Sequence, residues 1–262
     1  MNLKQIVGMM ALVGLSGLAQ ADTFNNGGFE SGNTAGWSTG GGYRGNDLNS
    51  TIAPADFLAG GRLNQDNGER GLVIDKNYVD ANLGSLLGST VLSGNYAYRA
   101  EDTTSGGFGT VISQQVKNYT DSDIYFGWKA VLENGGHAED ESAVMILTLT
   151  DNTTGQLVLT HTYNAGNGGG GVDSRFQTSG DFFYTSAWQL EHLTIDQALK
   201  GHDFTLSLLA ADCEPTGHTG YAYLDGFGSY VPPVPEPETY AMMLAGLGMM
   251  GWLARRKKSS KA

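Results

Sequence analysis

The sequence predicts an all-β protein, built as a single antiparallel β-sandwich with glycine-rich loops. The strongest periodic signals repeat every two residues, as expected of strands that bury one face. Glycine is abundant, with 39 copies in the chain, and suits the many turns of such a fold. Helical periodicity is scarce, and only residues 80–87 and 196–200 could form short helical turns.

Several segments carry the strand pattern. In residues 124–130 every second position is apolar, which predicts a strand with one buried face. Residues 143–150 are apolar on both faces at their start, as expected of a central strand. The turn composition of residues 151–155 predicts that this strand pairs with the next as a hairpin. The predicted strands are 111–117, 124–130, 143–150, 156–163, 188–195, 204–210 and 221–227.

Strands at this spacing, without alternating helices, indicate a sandwich. A β-barrel or a solenoid is the alternative, and the lack of a repeat of fixed period counts against the solenoid. Residues 38–67 are predicted to form a long, partly ordered excursion over one end of the sandwich. Residues 166–171 are predicted to form a glycine-rich loop, and such loops often carry recognition.

The amino-terminal residues 1–21 contain one basic residue, Lys4, and an apolar run that ends before Ala19 and Ala21. This composition predicts a secretory signal peptide that engages the Sec translocon and is cleaved after Ala21. A permanent amino-terminal anchor is the alternative, but the apolar run is short and interrupted by glycine. Residues 22–231 then form the sandwich domain, and this length is sufficient for one hydrophobic core.

The carboxyl-terminal residues fall into three parts: a proline-rich linker at 232–239, an uncharged apolar segment at 240–254 and a basic tail at 255–262. As a helix, the apolar segment would span roughly 23 Å, which is shorter than the roughly 30 Å hydrocarbon core. We expect it to enter the membrane at least transiently. A helix buried in the globular core is the alternative. The following basic residues argue against burial and should stay cytoplasmic; they are Arg255, Arg256, Lys257 and Lys258.

The motif Pro235-Glu236-Pro237, the short apolar segment and the basic tail together resemble the PEP-CTERM sorting signal of Gram-negative bacteria. The resemblance implies that an exosortase-type sorting enzyme recognises the motif and processes the tail. It also implies export across the inner membrane, a transient membrane anchor, and delivery to the cell surface or extracellular matrix. If the tail is removed there, the mature protein has no membrane span.

The chain is acidic, with a formal net charge of −12. This charge argues against nucleic acid and anionic membranes as partners, and it suits solubility or the binding of divalent cations. Cys213 is the single cysteine, so the chain cannot form an intrachain disulfide.

Short markers in the body of the chain resemble carbohydrate-binding-module-type (galactose-binding-like) jelly rolls. They are residues 26–32 with Gly36-Trp37, then 94–97, 112–114 and 223–227. The resemblance implies a jelly-roll-like sandwich, an exopolysaccharide ligand, and a structural Ca²⁺ where the first and last strands meet. It suggests Glu30 and Asp225 as calcium ligands, since Ca²⁺ prefers carboxylate and carbonyl oxygens. Alternatively, both carboxylates face solvent or bond within turns.

No catalytic motif is present, neither a G-x-S-x-G nucleophile elbow nor an H-E-x-x-H zinc motif. Residues 212–218 combine Asp, Cys and His and could bind a metal or host a thiolate, but a turn between the closing strands accounts for them. The acidic residues 139–141 are expected to form a charged hairpin loop. Carboxylates for glycoside hydrolysis would leave no motif, because the fold sets their separation.

Aromatic residues could supply platforms on which sugar rings stack. The candidates are Tyr43, Tyr78, Phe108, Tyr119 and Trp188. Trp37, Phe126 and Trp128 are predicted to belong to the core instead. The sequence therefore predicts an exported, non-enzymatic protein that binds polysaccharide. The alternatives are a secreted glycan hydrolase and a purely structural or adhesion protein of the matrix.

Overall fold

The computed structural model describes residues 24–228 and Tyr230, which form two antiparallel β-sheets. The five-stranded sheet has the order β1-β4-β11-β6-β7. The seven-stranded sheet has the order β2-β3-β12-β5-β9-β8, and β10 also pairs with β5. The strands are β1 Ser38–Tyr43, β2 Leu72–Asp75, β3 Tyr96–Ala100, β4 Phe108–Val116, β5 Asp123–Glu133, β6 Val144–Asp151, β7 Gln156–Asn164, β8 Gln177–Ser179, β9 Phe182–Tyr184, β10 Gln189–Thr194, β11 Phe204–Ala211 and β12 Gly220–Asp225.

The predicted β-sandwich is confirmed. The alternating residues of β5, from Ile124 to Ala130, are fully buried in the core between the sheets, together with Met145 and Leu147 of β6. The predicted hairpin also forms, with β6 paired to β7. Its turn is closed by a hydrogen bond from the Gly155 amide to the Asp151 carbonyl at 2.8 Å.

Helices are few and short, as the sequence predicts. The α-helix α1 spans Pro54–Phe57, and single 3₁₀ turns cover Asn49–Thr51, Ser85–Leu87 and Asn167–Gly169. No helix in the described ranges has the length and apolar character needed to cross a membrane. The predicted signal peptide at 1–21 and the apolar segment at 240–254 lie outside the described residues.

The prediction for residues 38–67 was wrong in two respects. Residues 38–43 form the edge strand β1, and the rest of the segment packs on the outer face of the five-stranded sheet instead of over its end. Ile52 and Phe57 are buried there against Val111 and Leu209. The sequence does not predict β1, because three consecutive glycines stand where a strand usually alternates apolar and polar residues. A Cβ at Gly42 would lie 1.9 Å from the Leu63 carbonyl oxygen, so this close approach requires glycine.

The outer face of the second sheet is covered as well. Residues 76–92 cross it, and their side chains Leu83 and Leu87 are buried against Tyr221 and Tyr223. The Lys129 ammonium of β5 is fully buried under this segment. It donates hydrogen bonds to the carbonyls of Leu87, Ser89 and Ser186.

The amino-terminal segment lies beside the end of β12. The Phe227 amide donates to the Gly27 carbonyl at 3.0 Å, and the Trp37 indole donates to the Asn26 carbonyl at 3.0 Å. Trp37 is partly buried against the core, while Phe126 and Trp128 are completely buried. These three core predictions are confirmed.

Candidate functional site

A groove of about 590 Å³ lies on the outer face of the five-stranded sheet. Its floor is formed by β6 and β7, and residues 49–54 line one side. Residues 139 and 140 come from the loop between β5 and β6, which we call the β5–β6 loop (residues 134–143). The lining residues are Asn49, Ser50, Ile52, Ala53, Pro54, Glu139, Asp140, Ile146, Thr148, Leu157, Thr160, Thr162 and Asn164.

The groove walls are connected by hydrogen bonds. Asn49 donates its amide hydrogens to the carbonyls of Glu139 at 2.7 Å and Ser142 at 3.0 Å. The Asp140 carboxylate accepts from the Ser50 amide at 2.6 Å and from the Ser50 hydroxyl at 2.8 Å. These bonds fix residues 49–50 against the β5–β6 loop, so the groove is preformed.

The groove surface mixes apolar and polar groups. Ile52, Pro54 and Leu157 supply apolar surface, and Leu157 is 60% exposed. Hydroxyl and amide groups come from the outward-facing residues of β7. The lining can therefore both donate and accept hydrogen bonds beside apolar contacts, as ligand sites commonly do.

Sequence reasoning missed this groove. The alternation of Thr160, Thr162 and Asn164 marked one polar face of β7, but a polar face of an edge strand usually faces only solvent. What makes it a groove is the packing of residues 49–54 across the neighbouring strand, and the sequence alone does not reveal this contact. Residues 139–141 lie in a loop, but the predicted hairpin was wrong, because β5 and β6 belong to different sheets and do not pair. Two of the three residues also line the groove.

The structure places both predicted calcium ligands against one segment, residues 92–96. Glu30 Oε1 accepts hydrogen bonds from the amides of Asn95 at 2.8 Å and Tyr96 at 3.0 Å. Asp225 Oδ2 accepts from the amides of Leu92 at 2.8 Å and Ser93 at 3.1 Å. Both carboxylates thus bond to backbone in a turn, which agrees with the alternative interpretation of these residues.

One carboxylate oxygen of the Glu30–Asp225 pair has no hydrogen-bond partner among the described residues. Asp225 Oδ1 is buried and accepts no hydrogen bond from the described residues. Burial raises the pKa of Asp225 to about 7, against the opposing hydrogen bonds from Ser93 and Leu92, and the nearby Glu30 charge raises it further. Partial burial acts to raise the pKa of Glu30, but hydrogen bonds from Asn95 and Tyr96 hold it below its ordinary value. A cation at the unpartnered oxygen would favour the ionised form of Asp225.

The proposed aromatic platforms do not form a sugar-binding row. Tyr119 is buried, while Tyr78 and Trp188 pack against the cluster under residues 76–92. The Arg70 guanidinium covers the ring of Phe108 at 3.5 Å. Only Tyr43 of the five is largely exposed, at 40%, and it does not line the groove. The prediction of a platform was therefore wrong for the buried Tyr119, while Tyr78, Phe108 and Trp188 are partly exposed.

Three of the strand histidines pair with carboxylates. His161 contacts Glu191 at 2.8 Å, His192 contacts Asp123 at 2.6 Å, and His202 contacts Asp151 at 2.8 Å. His161 and His192 lie on β7 and β10, whereas His202 lies just before β11. Glu191 also accepts a hydrogen bond from the Trp128 indole at 2.8 Å. None of the three histidines lines the groove. Residues 212–218 form the predicted turn, closed by a hydrogen bond from the Cys213 amide to the His218 carbonyl at 3.0 Å.

Comparison with known proteins identifies the tail. Residues 233–258 match the family model for the PEP-CTERM protein-sorting motif. This range includes the predicted motif Pro235, Glu236 and Pro237 and the basic cluster from Arg255 to Lys258, all of which lie outside the described residues. No curated protein matches the chain significantly.

Solved structures similar to this chain include carbohydrate-binding modules. TmCBM61 in complex with β-1,4-galactotriose is 12% identical, with a TM-score of 0.38, over 79% of this chain and 95% of its own. A non-crystalline-cellulose-specific module, CBM28, is also 12% identical, with a TM-score of 0.37, over 79% and 95%. CBM27-1 of Caldicellulosiruptor saccharolyticus, in complex with mannohexaose, is 10% identical, with a TM-score of 0.30, over 60% and 94%.

The chain is thus a β-sandwich protein that carries a PEP-CTERM sorting motif. The motif implies processing by an exosortase and export to the cell surface of a Gram-negative bacterium.

Proposed function

We propose that this exported protein is non-enzymatic and binds a neutral polysaccharide in the groove over β6 and β7. The groove itself is the observation that carries the proposal. It is preformed, it is open along the sheet, and it offers hydroxyl and amide groups beside apolar side chains. A sugar chain presents the complementary surface, with hydroxyl groups around its rings and apolar patches on their faces.

The charge of the groove selects the class of polysaccharide. Glu139 and Asp140 lie on its wall, and the whole chain has a formal net charge of −12. Uronate or sulfate groups would be repelled by these carboxylates, whereas neutral hydroxyl groups can donate hydrogen bonds to them. Because aromatic platforms are absent from the described lining, we expect weak binding per site. Many sites along one polymer would then raise the overall affinity.

The groove's carboxylates support the proposal of binding without hydrolysis. Among the described lining residues these are Glu139 and Asp140, which are neighbours in sequence. The Asp140 carboxylate is already bonded to the amide and hydroxyl of Ser50. Glycosidases need two carboxyl groups that flank the scissile bond, roughly 5–10 Å apart. The hydrogen bonds from Ser50 instead give the Asp140 carboxylate a structural role in the groove wall.

Affinity electrophoresis of the full-length protein in gels containing soluble polysaccharides tests this function. We expect retardation by at least one neutral polysaccharide and none by acidic ones. Thr162→Arg fills the groove from β7 and should abolish retardation. Gln115→Arg is the matched control, because it places the same side chain on the exposed surface of β4 in the same sheet, away from the groove. Equal retardation of both variants would contradict the proposed site.

Two other outcomes would decide between classes of function. Release of reducing ends from a retained polysaccharide would overturn the non-enzymatic assignment and favour a glycan hydrolase. An absence of both retardation and turnover across neutral polysaccharides would favour a structural or adhesion role in the matrix.

We also propose a structural Ca²⁺ at Glu30 and Asp225. The unpartnered Asp225 Oδ1 and the adjacent Glu30 carboxylate are hard oxygen donors, and backbone carbonyls of the surrounding turns can complete the six to eight ligands that calcium takes. The ion would hold residues 92–96 to both the amino-terminal segment and the end of β12.

Chelation tests the calcium proposal. With full-length protein that has first been stripped of zinc, EDTA should lower the thermal midpoint and added Ca²⁺ should restore it, because a ligand of the folded state stabilises that state. Asp225→Asn should remove this calcium response. Asp56→Asn, on α1, is the control and should keep it. If the midpoint of the wild-type protein does not respond to EDTA, the carboxylates serve only as hydrogen-bond acceptors in the turn.

For the tail, we propose that residues 240–254 anchor the chain in the inner membrane only until the exosortase acts. The basic residues 255–258 would stay cytoplasmic and hold the chain in place. Mass spectrometry of surface-released protein should then detect peptides up to the Pro-Glu-Pro region and none from 240–262. A Glu236→Ala variant should accumulate in the membrane fraction with its tail intact. Surface protein that retains residues 255–258 would contradict removal.

A further inference from the structure

Three side chains with nitrogen and sulfur donors meet at one end of the sandwich. His137 lies in the β5–β6 loop, whereas Cys213 and His218 lie in the turn between β11 and β12. His137 Nε2 and His218 Nδ1 are 3.1 Å apart, and Cys213 Sγ is 3.5 Å from the same His218 nitrogen. All three donor atoms lie within 4.8 Å of one another. Residues from two separate loops thus converge on one point.

The two shorter separations are close to the edges of a tetrahedral zinc site. Zinc binds histidine nitrogen at about 2.0–2.1 Å and cysteine sulfur at about 2.3 Å. In a tetrahedron with these bond lengths, two nitrogens would lie about 3.3 Å apart, and a nitrogen and a sulfur about 3.6 Å apart. The observed 3.1 Å and 3.5 Å fall close to both values. Small ring rotations would therefore be enough to admit the ion.

The surrounding backbone fixes the donors in this arrangement. The His218 amide donates to Cys213 Sγ at 3.2 Å, which fixes the position of the sulfur relative to the His218 backbone. The ring of His218 packs so closely on Gly135 that a Cβ there would lie 2.1 Å from Nδ1. Any other residue at position 135 would push the ring away from the cluster. The Asn167 amide holds the other loop by donating to the His137 carbonyl at 2.8 Å.

We infer that His137, Cys213 and His218 form a Zn²⁺ site that clamps the β5–β6 loop to the β11–β12 turn. Imidazole and thiolate are borderline and soft ligands, so the site suits zinc and disfavours Ca²⁺ and Mg²⁺. Three protein ligands leave the fourth tetrahedral position for water or a ligand group. His137 and His218 are only partly buried, so the ion can enter from solvent, while Cys213 is completely buried.

Cobalt titration tests the site. The full-length protein, purified without an oligohistidine tag and stripped with a chelator, should take up one Co²⁺ with the intense visible bands of tetrahedral cobalt and a thiolate charge-transfer band. Equimolar Zn²⁺ should displace the cobalt. Cys213→Ser should remove the charge-transfer band, and His137→Ala should weaken zinc binding by at least about 100-fold.

His192→Ala is the matched control, because His192 is a partly exposed histidine paired with Asp123 on another part of the sandwich. It should keep both the cobalt spectrum and the zinc affinity. His137→Ala changes only a half-buried loop side chain, so it stays informative even if Cys213→Ser fails to fold. The inference is overturned if the wild-type protein gives no tetrahedral cobalt spectrum. It is equally overturned if His137→Ala and His192→Ala bind zinc alike.

Discussion

Among single residues, Glu101 is the most unusual carboxyl group outside the proposed sites. Its side chain is completely buried after β3. It accepts a hydrogen bond from the Thr110 hydroxyl at 2.7 Å, while the Arg70 guanidinium lies 3.9 Å away. Burial raises the pKa of Glu101 to about 8, and the nearby Asp212 carboxylate adds to the increase. The side chain is therefore neutral in the folded protein at neutral pH.

This raised pKa predicts how stability depends on pH. In the unfolded chain Glu101 ionises near its ordinary pKa of 4.5, whereas in the folded protein it holds its proton up to about pH 8. Its contribution to stability is complete below pH 4.5 and is lost as the pH rises to 8, with a slope of roughly 1.4 kcal/mol for each pH unit between these values. Glu101→Gln should make the fall of the thermal midpoint between pH 5 and about 8.5 less steep, and the raised pKa of Asp225 accounts for part of the remaining slope. Asp66→Asn, at an exposed position, should leave the slope unchanged.

If the thermal midpoint of Glu101→Gln falls as steeply with pH as that of the wild-type protein, another buried group must control the dependence.

At the scale of elements, each sheet is covered on its outer face by one long segment. Residues 76–92 are held by the buried Lys129, which donates to the carbonyls of Leu87 and Ser89 in this segment, and also to that of Ser186 outside it at 2.8 Å. Burial lowers the pKa of Lys129 to about 8, so at neutral pH the ammonium is still charged. These hydrogen bonds tie the covering segment to the central strand β5.

Lys129→Met keeps most of the volume of the side chain but leaves the three carbonyls without a donor. We expect it to lower the free energy of unfolding by roughly 2–4 kcal/mol and to expose residues 76–92 to proteases. Urea unfolding and limited proteolysis would measure both effects. Lys117→Met, at an exposed position, is the control. Unchanged proteolysis of residues 76–92 would show that the apolar contacts of Leu83 and Leu87 are sufficient to hold the segment.

The other covering segment depends on glycines in β1. Gly42→Ala would place a Cβ within 1.9 Å of the Leu63 carbonyl oxygen, so strand and segment would have to separate. Overpacking of this kind costs about 1–3 kcal/mol or more. Gly217→Ala is the control, since an added Cβ there meets no atom within 4 Å. Thermal unfolding should show a lower midpoint for Gly42→Ala alone. Equal midpoints for the two variants would show that residues 44–70 pack loosely on the sheet.

For the whole molecule, the sequence predicts the inner sandwich well and its outer surface poorly. Period-two patterns located β5, β6, β7 and β11, because core strands bury alternate side chains. The strand β1 was missed because its glycines are required by close backbone contacts with a segment distant in sequence. Such contacts produce no alternating pattern in the sequence. The groove and the convergence of His137 with Cys213 were missed for a related reason. Both depend on which loops the strand order brings together.

The β5–β6 loop connects the proposed zinc site to the proposed polysaccharide groove. It carries His137 of the proposed zinc site and, two residues later, Glu139 on the wall of the groove. A zinc ion that restricts the motion of this loop therefore also restricts the motion of the groove wall. The binding of zinc and the binding of polysaccharide then share a free-energy contribution. Linkage makes this contribution reciprocal. Whatever factor zinc adds to the affinity for polysaccharide, the polysaccharide must add to the affinity for zinc.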